Sequence, residues 1–174
     1  MIISVHELVA STKEALHGLL GFLGGNEAQA RDIVFKHSTL QPRSELLYLV
    51  PDADHHIDTS GFICWMQRIV DIPNALRARG WNPNISATVA LEVSDPISED
   101  AQRIVLEVSG GKAEVTTGGP GGVRCDVGAL GAWYSGTLRA WNAARLNLMR
   151  GADEDIALMD SLCVNNDPWM PDYF

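Results

Sequence analysis

Residues 85–117, ISATVALEVSDPISEDAQRIVLEVSGGKAEVTT, decide the fold. Ile85, Ala87, Val89, Leu91 and Val93 alternate with Ser86, Thr88 and Glu92, the period-two pattern of a strand with one buried face. Residues 102–117 carry two more β-like runs around Gly110-Gly111, which supplies the positive φ values of a two-residue hairpin turn. The following TGGPGG, residues 117–122, leads into VRCDV at 123–127, read as a short strand of the same sheet. Phosphate cradles open a helix instead, so this glycine run reads as a connection between strands.

Upstream of this sheet the pattern is mixed. IISVHELVA, residues 2–10, starts as a strand, and STKEALHGLLGFLGG at 11–25 reads as a helix in which Ser11 and Glu14 fit a capping box. Its Leu16, Leu19, Leu20 and Leu23 keep helical spacing, and Gly24-Gly25 closes it. RDIVFKHS, residues 31–38, is β-like, and SELLYLV at 44–50 predicts a short helix stopped by Pro51. The polar PDADHHIDTSG at 51–61 marks a boundary. FICWMQRIV, residues 62–70, is nearly all apolar and predicts a strand covered on both faces. DIPNALRARG, 71–80, predicts a short helix closed by Gly80.

Beyond the sheet the chain turns helical. GALGAWYSG begins this part, with Leu138, Trp141 and Leu148 predicted on one buried face. GADEDIALMDSLC, 151–163, makes a last helix whose Asp153, Glu154 and Asp155 suit the positive end of the macrodipole. Strands grouped before helices give the α+β class.

The 174-residue chain has a formal net charge of −9, which argues against nucleic acid and anionic membrane as partners and would suit cationic ligands. Cys64, Cys125 and Cys163 sit among apolar neighbours and form no C-x-x-C pair, as expected of reduced, buried thiols in a cytoplasmic protein. No apolar run reaches about 18 residues. The one dense group of metal-ligand types, His55-His56 with Asp52, Asp54 and Asp58, lacks ligand spacing and reads as a solvated loop. No nucleophile elbow is present. RARGWN at 77–82 approaches a CoA pyrophosphate loop, but Asn82 stands where a small residue belongs and the segment closes a helix, so no cofactor-binding residue is assigned. The chain finishes on PWMPDYF, where two prolines and three aromatics make a stiff, apolar end; packing onto its own domain is one reading, placement of the terminal carboxylate in a site the other.

Several stretches together resemble the C-terminal portion of the enhanced-intracellular-survival (Eis) acetyltransferases. They are WMQRIVDIPNALRARGW (65–81), LEVSDP (91–96), RCDVGALGAWYSG (124–136) and PWMPDYF (168–174). The resemblance implies that residues 1–60 are the latter part of a second, cofactor-free GNAT-like domain. It implies a sterol carrier protein 2-like domain, a sheet packed with helices, over 61–174. The family's acetyl-CoA-binding GNAT domain has no counterpart in the sequence, so the chain is expected to be a C-terminal fragment or truncated relative that binds no acetyl-CoA.

The resemblance further implies an amine substrate of aminoglycoside or lysine type, homo-oligomerisation, and a general base formed by the terminal carboxylate of Phe174. Trp169, Asp172 and Tyr173 would then line the acceptor site. The alternative is a stand-alone carrier-like module for a small apolar ligand, with Trp133, Leu138, Trp141 and Met149 either lining a cavity or forming solid core.

Overall fold

The structure is a computed structural model that describes residues 1–26, 30–35, 48, 57–58, 66–98 and 101–163. It divides into two compact units, one within residues 1–61 and one over 62–166. The helix predicted at 44–50, apart from Tyr48, and the PWMPDYF end lie outside the described residues. So do Cys64, His55, His56, Asp52 and Asp54.

In the first unit, β1 (Ile2–Val5) and β2 (Asp32–Phe35) pair in parallel, with Ile2 opposite Asp32 and Val5 opposite Phe35. Helix α1 (Lys13–Gly24) joins them. Its cap is Thr12, whose side chain accepts from the Ala15 amide, and not the expected Ser11. Threonine's oxygen here meets the third residue on, the usual N-cap reach. No residue of α1 is buried, and Val9 and Phe22 are each 71% exposed. Val5, Glu7, Leu8, Val9, Leu19, Phe22 and Leu23 line an open, largely apolar groove. A parallel pair is normally covered on both faces, and two strands alone are marginal in water. Here Leu16, Leu20 and Leu23 are half-buried, while Val9 and Phe22 stay largely exposed.

The second unit is built on a sheet of order β5-β4-β3-β6-β7 among the described residues. Its strands are β3 (Ala87–Ser94), β4 (Ala101–Ser109), β5 (Lys112–Thr117), β6 (Val123–Asp126) and β7 (Met149–Arg150). Only β3 and β6 run parallel; the other neighbours are antiparallel. The expected alternation holds: Ala87, Val89, Leu91 and Val93 point to the core and Thr88 and Ser94 outward. Gly110 and Gly111 have φ of 57° and 82°, the left-handed pair that a type I′ turn requires.

Against the inner face lie α2 (Ile72–Ala78), α3 (Val127–Ser135), α4 (Ala140–Arg145) and α5 (Asp153–Leu162). Asp71 caps α2 and Asp126 caps α3, each through a carboxylate that accepts an amide three residues on. Leu76, Leu91, Ile104, Leu106, Leu130, Trp133, Met149, Ile156 and Met159 fill the core. Each such burial is worth about 1.5–3 kcal/mol against exposure.

Two expectations fail here. Residues 66–70 form no strand, and Met66 and Val70 are 97% and 91% exposed. Ile69 alone of the described stretch is buried, while Arg68 reaches Asp95 at 2.6 Å and ties the segment across the end of β3. An apolar run is ambiguous by periodicity alone, and here one anchor and one ion pair hold it. Likewise Leu138, Trp141 and Leu148 do not share a buried face: Trp141 is 41% and Leu148 44% exposed. Helix α4 stops at Arg145, Asn147 turns the chain with φ of 59°, and β7 buries Met149 instead. The α-helical spacing was broken by a strand.

Candidate functional site

The residues expected to form the acceptor site, Trp169, Asp172, Tyr173 and Phe174, lie outside the described residues. What the structure does describe is the platform from which that segment departs, the C-terminal turn of α5. Three neighbouring elements converge on it.

From α3, Trp133 is fully buried and its Nε1–H donates to the Met159 carbonyl at 2.8 Å. Its own carbonyl accepts from the Cys163 thiol at 3.2 Å. From the end of α2, the Arg79 Nη1 donates to the Leu162 carbonyl at 3.4 Å. A cation at this end of a helix complements the macrodipole and supplies donors to carbonyls the helix leaves open.

The Arg79 guanidinium lies 4.4 Å from the centroid of Trp81, 5.5 Å from Tyr134 and 5.8 Å from Trp133. Trp81 and Trp133 meet each other at 5.9 Å, tilted by 38°. Trp81 in turn donates to the Leu76 carbonyl and Tyr134 to that of Ala75. Every polar edge of the aromatic cluster is therefore satisfied on α2 or α5. Burial lowers the Arg79 pKa, while Cys163 and Tyr134 act in the opposite sense.

Beside this cluster, Arg139 clasps Asp160 through Nε and Nη2, and Asp160 also accepts from the Trp141 amide at 3.3 Å. Asp160 is thus both an ion-pair partner and a cap for α4. Burial raises its carboxyl pKa, but the Arg139 hydrogen bond and the α4 amides hold it below the ordinary range. Burial pushes the Cys163 thiol up, so it stays protonated and serves as a donor. Cys125 is raised to about 12 by burial and then by Asp126. Neither thiol is suited to nucleophilic work.

Chemically the platform is a saturated junction, with a cation enclosed by rings and a helix end held from two sides. Arg79 is not among the residues the sequence assigns to the site, because RARGWN reads first as a near-match to a CoA pyrophosphate loop. The signal available was an arginine two residues before Trp81, close enough to stack on it. Arg77 instead bonds the Val115 carbonyl on the outer strand β5. Arg79 caps the C-terminal end of α2, so the amides of this segment do not present a helix N-terminus and do not fit a CoA pyrophosphate. Among the described residues no group of three or more His, Cys, Asp or Glu could hold a metal ion. No helix among them is long and apolar enough to cross a membrane.

Trp133 and Met149, considered as cavity lining, are core. Leu138 packs against that core from partial burial.

The mixed sheet, its helical cover and the α5 platform coincide with a match to the sterol carrier protein domain over residues 72–171. The chain belongs to the sterol carrier protein domain family. No curated protein matches the sequence.

Solved structures extend the likeness of this sterol carrier domain protein along the rest of the chain. A GCN5-related N-acetyltransferase from Anabaena variabilis ATCC 29413 aligns with TM-score 0.89 and 24% identity, which speaks for the fold alone. A GCN5-related N-acetyltransferase from Kribbella flavida aligns with TM-score 0.77 and 27% identity over 98% of this chain. Eis1 from Mycobacterium abscessus aligns with TM-score 0.76 and 26% identity over 99%. The chain spans only 43–44% of the length of these three proteins.

Proposed function

We propose that the chain is the C-terminal, acceptor-side part of an Eis-like, acetyl-CoA-dependent N-acetyltransferase. The observation that carries this reading is the alignment with Eis1, which takes in 99% of this chain and 44% of that one. The exposed Val9, Leu19 and Phe22 beside half-buried leucines of α1 support it, since such exposure suits part of a larger domain. In this reading residues 1–60 belong to a GNAT-like domain and 61–174 to the carrier-like one. The acetyl-CoA site belongs to sequence outside these 174 residues.

The chain's own contribution is to the amine. A general base must accept a proton near working pH, and an ordinary α-carboxylate is too weak a base for that. Aromatic, water-poor surroundings supplied by Trp169 and Tyr173 would raise the Phe174 carboxyl by desolvation, and Asp172 would add like-charge repulsion while attracting a cationic amine. The substrate is then an aminoglycoside or a lysine side chain, and the complete enzyme a cytoplasmic homo-oligomer.

The test is direct. Incubated with acetyl-CoA and either amine, the 174-residue chain yields no acetylated product above the uncatalysed background; acetyl transfer by the chain alone would refute the assignment.

The family match also favours a second reading, a carrier-like module for a small apolar ligand. Titration with a fluorescent fatty acid separates the two, because saturable binding supports the module and its absence leaves the transferase reading alone.

A further inference from the structure

The outer face of the sheet in the second unit carries a feature that the acetyltransferase reading does not use. Arg103 on β4 is directly opposite Glu92 on β3, Glu92 is opposite Arg124 on β6, and Arg124 is opposite Arg150 on β7. Residues directly opposite one another share a face, so these four side chains form one row across four strands. The flanking Leu91, Val93, Ile104, Val123, Cys125 and Met149 all point the other way, into the core.

The row is strongly unbalanced, with three cations to one anion in a protein of net charge −9. Glu92 is engaged by Arg103, whose Nε and Nη2 each lie 2.8 Å from Oε2. Arg124 reaches Glu92 Oε1 only at 3.8 Å and is 65% exposed. Arg150 donates to a neutral group, Asn147 Oδ1, at 2.7 Å. Two arginines set directly opposite each other are a locally unfavourable cross-strand pair. A dianionic ligand between them would reverse that sign.

The glycine connection from β5 to β6 walls the row on one side. Gly119 stands against Val105, where a Cβ would come 2.6 Å from Cγ2. Gly121, with φ of 68°, stands against Glu92 and Arg103, where a Cβ would come 2.9 Å from Glu92 Oε2. Any side chain there would collide with Val105 or Glu92, so the connection packs directly on the Glu92–Arg103 end of the row and leaves the Arg124–Arg150 end open. The nearby acids are otherwise committed or marginal: Asp126 caps α3, and Asp155 Oδ2 sits beside Gly122 at the edge.

We infer that the adjacent pair Arg124 and Arg150, at the β6–β7 end of this row, binds the phosphate chain of a small di- or triphosphate. The guanidinium fork matches phosphate oxygens in pairs, and the neighbouring strands β6 and β7, about 4.8 Å apart, set Arg124 and Arg150 at a spacing that consecutive phosphates can bridge. Glu92 occupies Arg103, which leaves Arg124 and Arg150 as the cations of the row that a phosphate can engage. This inference is independent of acetyl transfer.

Amide chemical shifts of the 174-residue chain, followed during titration with inorganic pyrophosphate, tripolyphosphate and ADP in about 0.15 M salt, test it. Saturable shifts are expected at Glu92, Arg103, Gly121, Arg124 and Arg150. In R124Q/R150Q the affinity should fall at least tenfold, while K112Q, a charge removed at the β4–β5 hairpin end of the sheet, should leave it unchanged. If the double variant does not fold, R150Q alone should weaken binding about threefold. Tighter binding of ADP than of pyrophosphate assigns the ligand to nucleotides, and equal binding assigns it to the phosphate chain itself. Absence of saturation, or equal weakening by K112Q, overturns the proposal and leaves a solvated surface ladder.

Discussion

Arg139 meets Asp160 with both Nε and Nη2, and the same carboxylate accepts the first amides of α4. One acid therefore ties the start of α4 to the last helix. Replacing it by alanine leaves a half-exposed guanidinium and a helix start without partners. The D160A variant should lose about 2 kcal/mol in urea unfolding, toward the low end for a buried pair because Arg139 is partly solvated.

The same pair sets an acid limb. The Asp160 carboxyl is held below its ordinary value in the folded chain, so its contribution is fully present above the unfolded carboxylate range and is lost as pH falls through the lower, folded value. Between pH 5 and 2 the melting temperature of the wild type should fall more steeply than that of D160N. Identical acid limbs in thermal scans would show that the pair carries no linked stability.

Trp133 closes the platform with its Nε1–H on Met159. Phenylalanine keeps most of the ring but leaves that buried carbonyl without its donor, so W133F should cost about 1–2 kcal/mol. W133A adds a cavity and should cost about 3–5 kcal/mol. Chemical denaturation of both variants checks the order and the gap.

Much of the second unit was legible in its residues, and the reasons are local. The alternation from Ala87 to Val93 and the Gly110-Gly111 turn each depend on a rule that nearest neighbours satisfy. Residues 66–70 were not legible, because their order comes from one buried residue, Ile69, and an ion pair 27 positions away, Arg68 to Asp95. The segment after α4 misled for a similar reason. Leu148 keeps helical spacing from Trp141, but β7 is recruited by pairing with β6, which no local pattern announces. Of the candidate site, the aromatic end was visible by composition and the Arg79 junction was not. Stacking of Arg79 on Trp133 and Tyr134 joins residues that are distant in sequence.

Cys125 should be inert in the folded chain. Burial and the neighbouring Asp126 push its thiol up to about 12, which leaves almost no thiolate at pH 8. Its peptide should escape iodoacetamide in native buffer and react fully in denaturant, as read by mass spectrometry. Rapid native alkylation would mean that β6 opens far more readily than its packed position implies.

In the proposed Eis-like transferase the carboxylate of Phe174 acts as a base. This role is tested most directly in a chimera in which this chain replaces the matching 44% of Eis1 from Mycobacterium abscessus, assayed for acetyl transfer with and without one glycine appended after Phe174. The appended residue moves the terminal charge by one position and turns the Phe174 carboxylate into a neutral amide. With the extra glycine kcat should fall at least about 100-fold, the usual worth of a positioned general base, with the fold unchanged. An extended chimera that turns over as fast as the unextended one would contradict it.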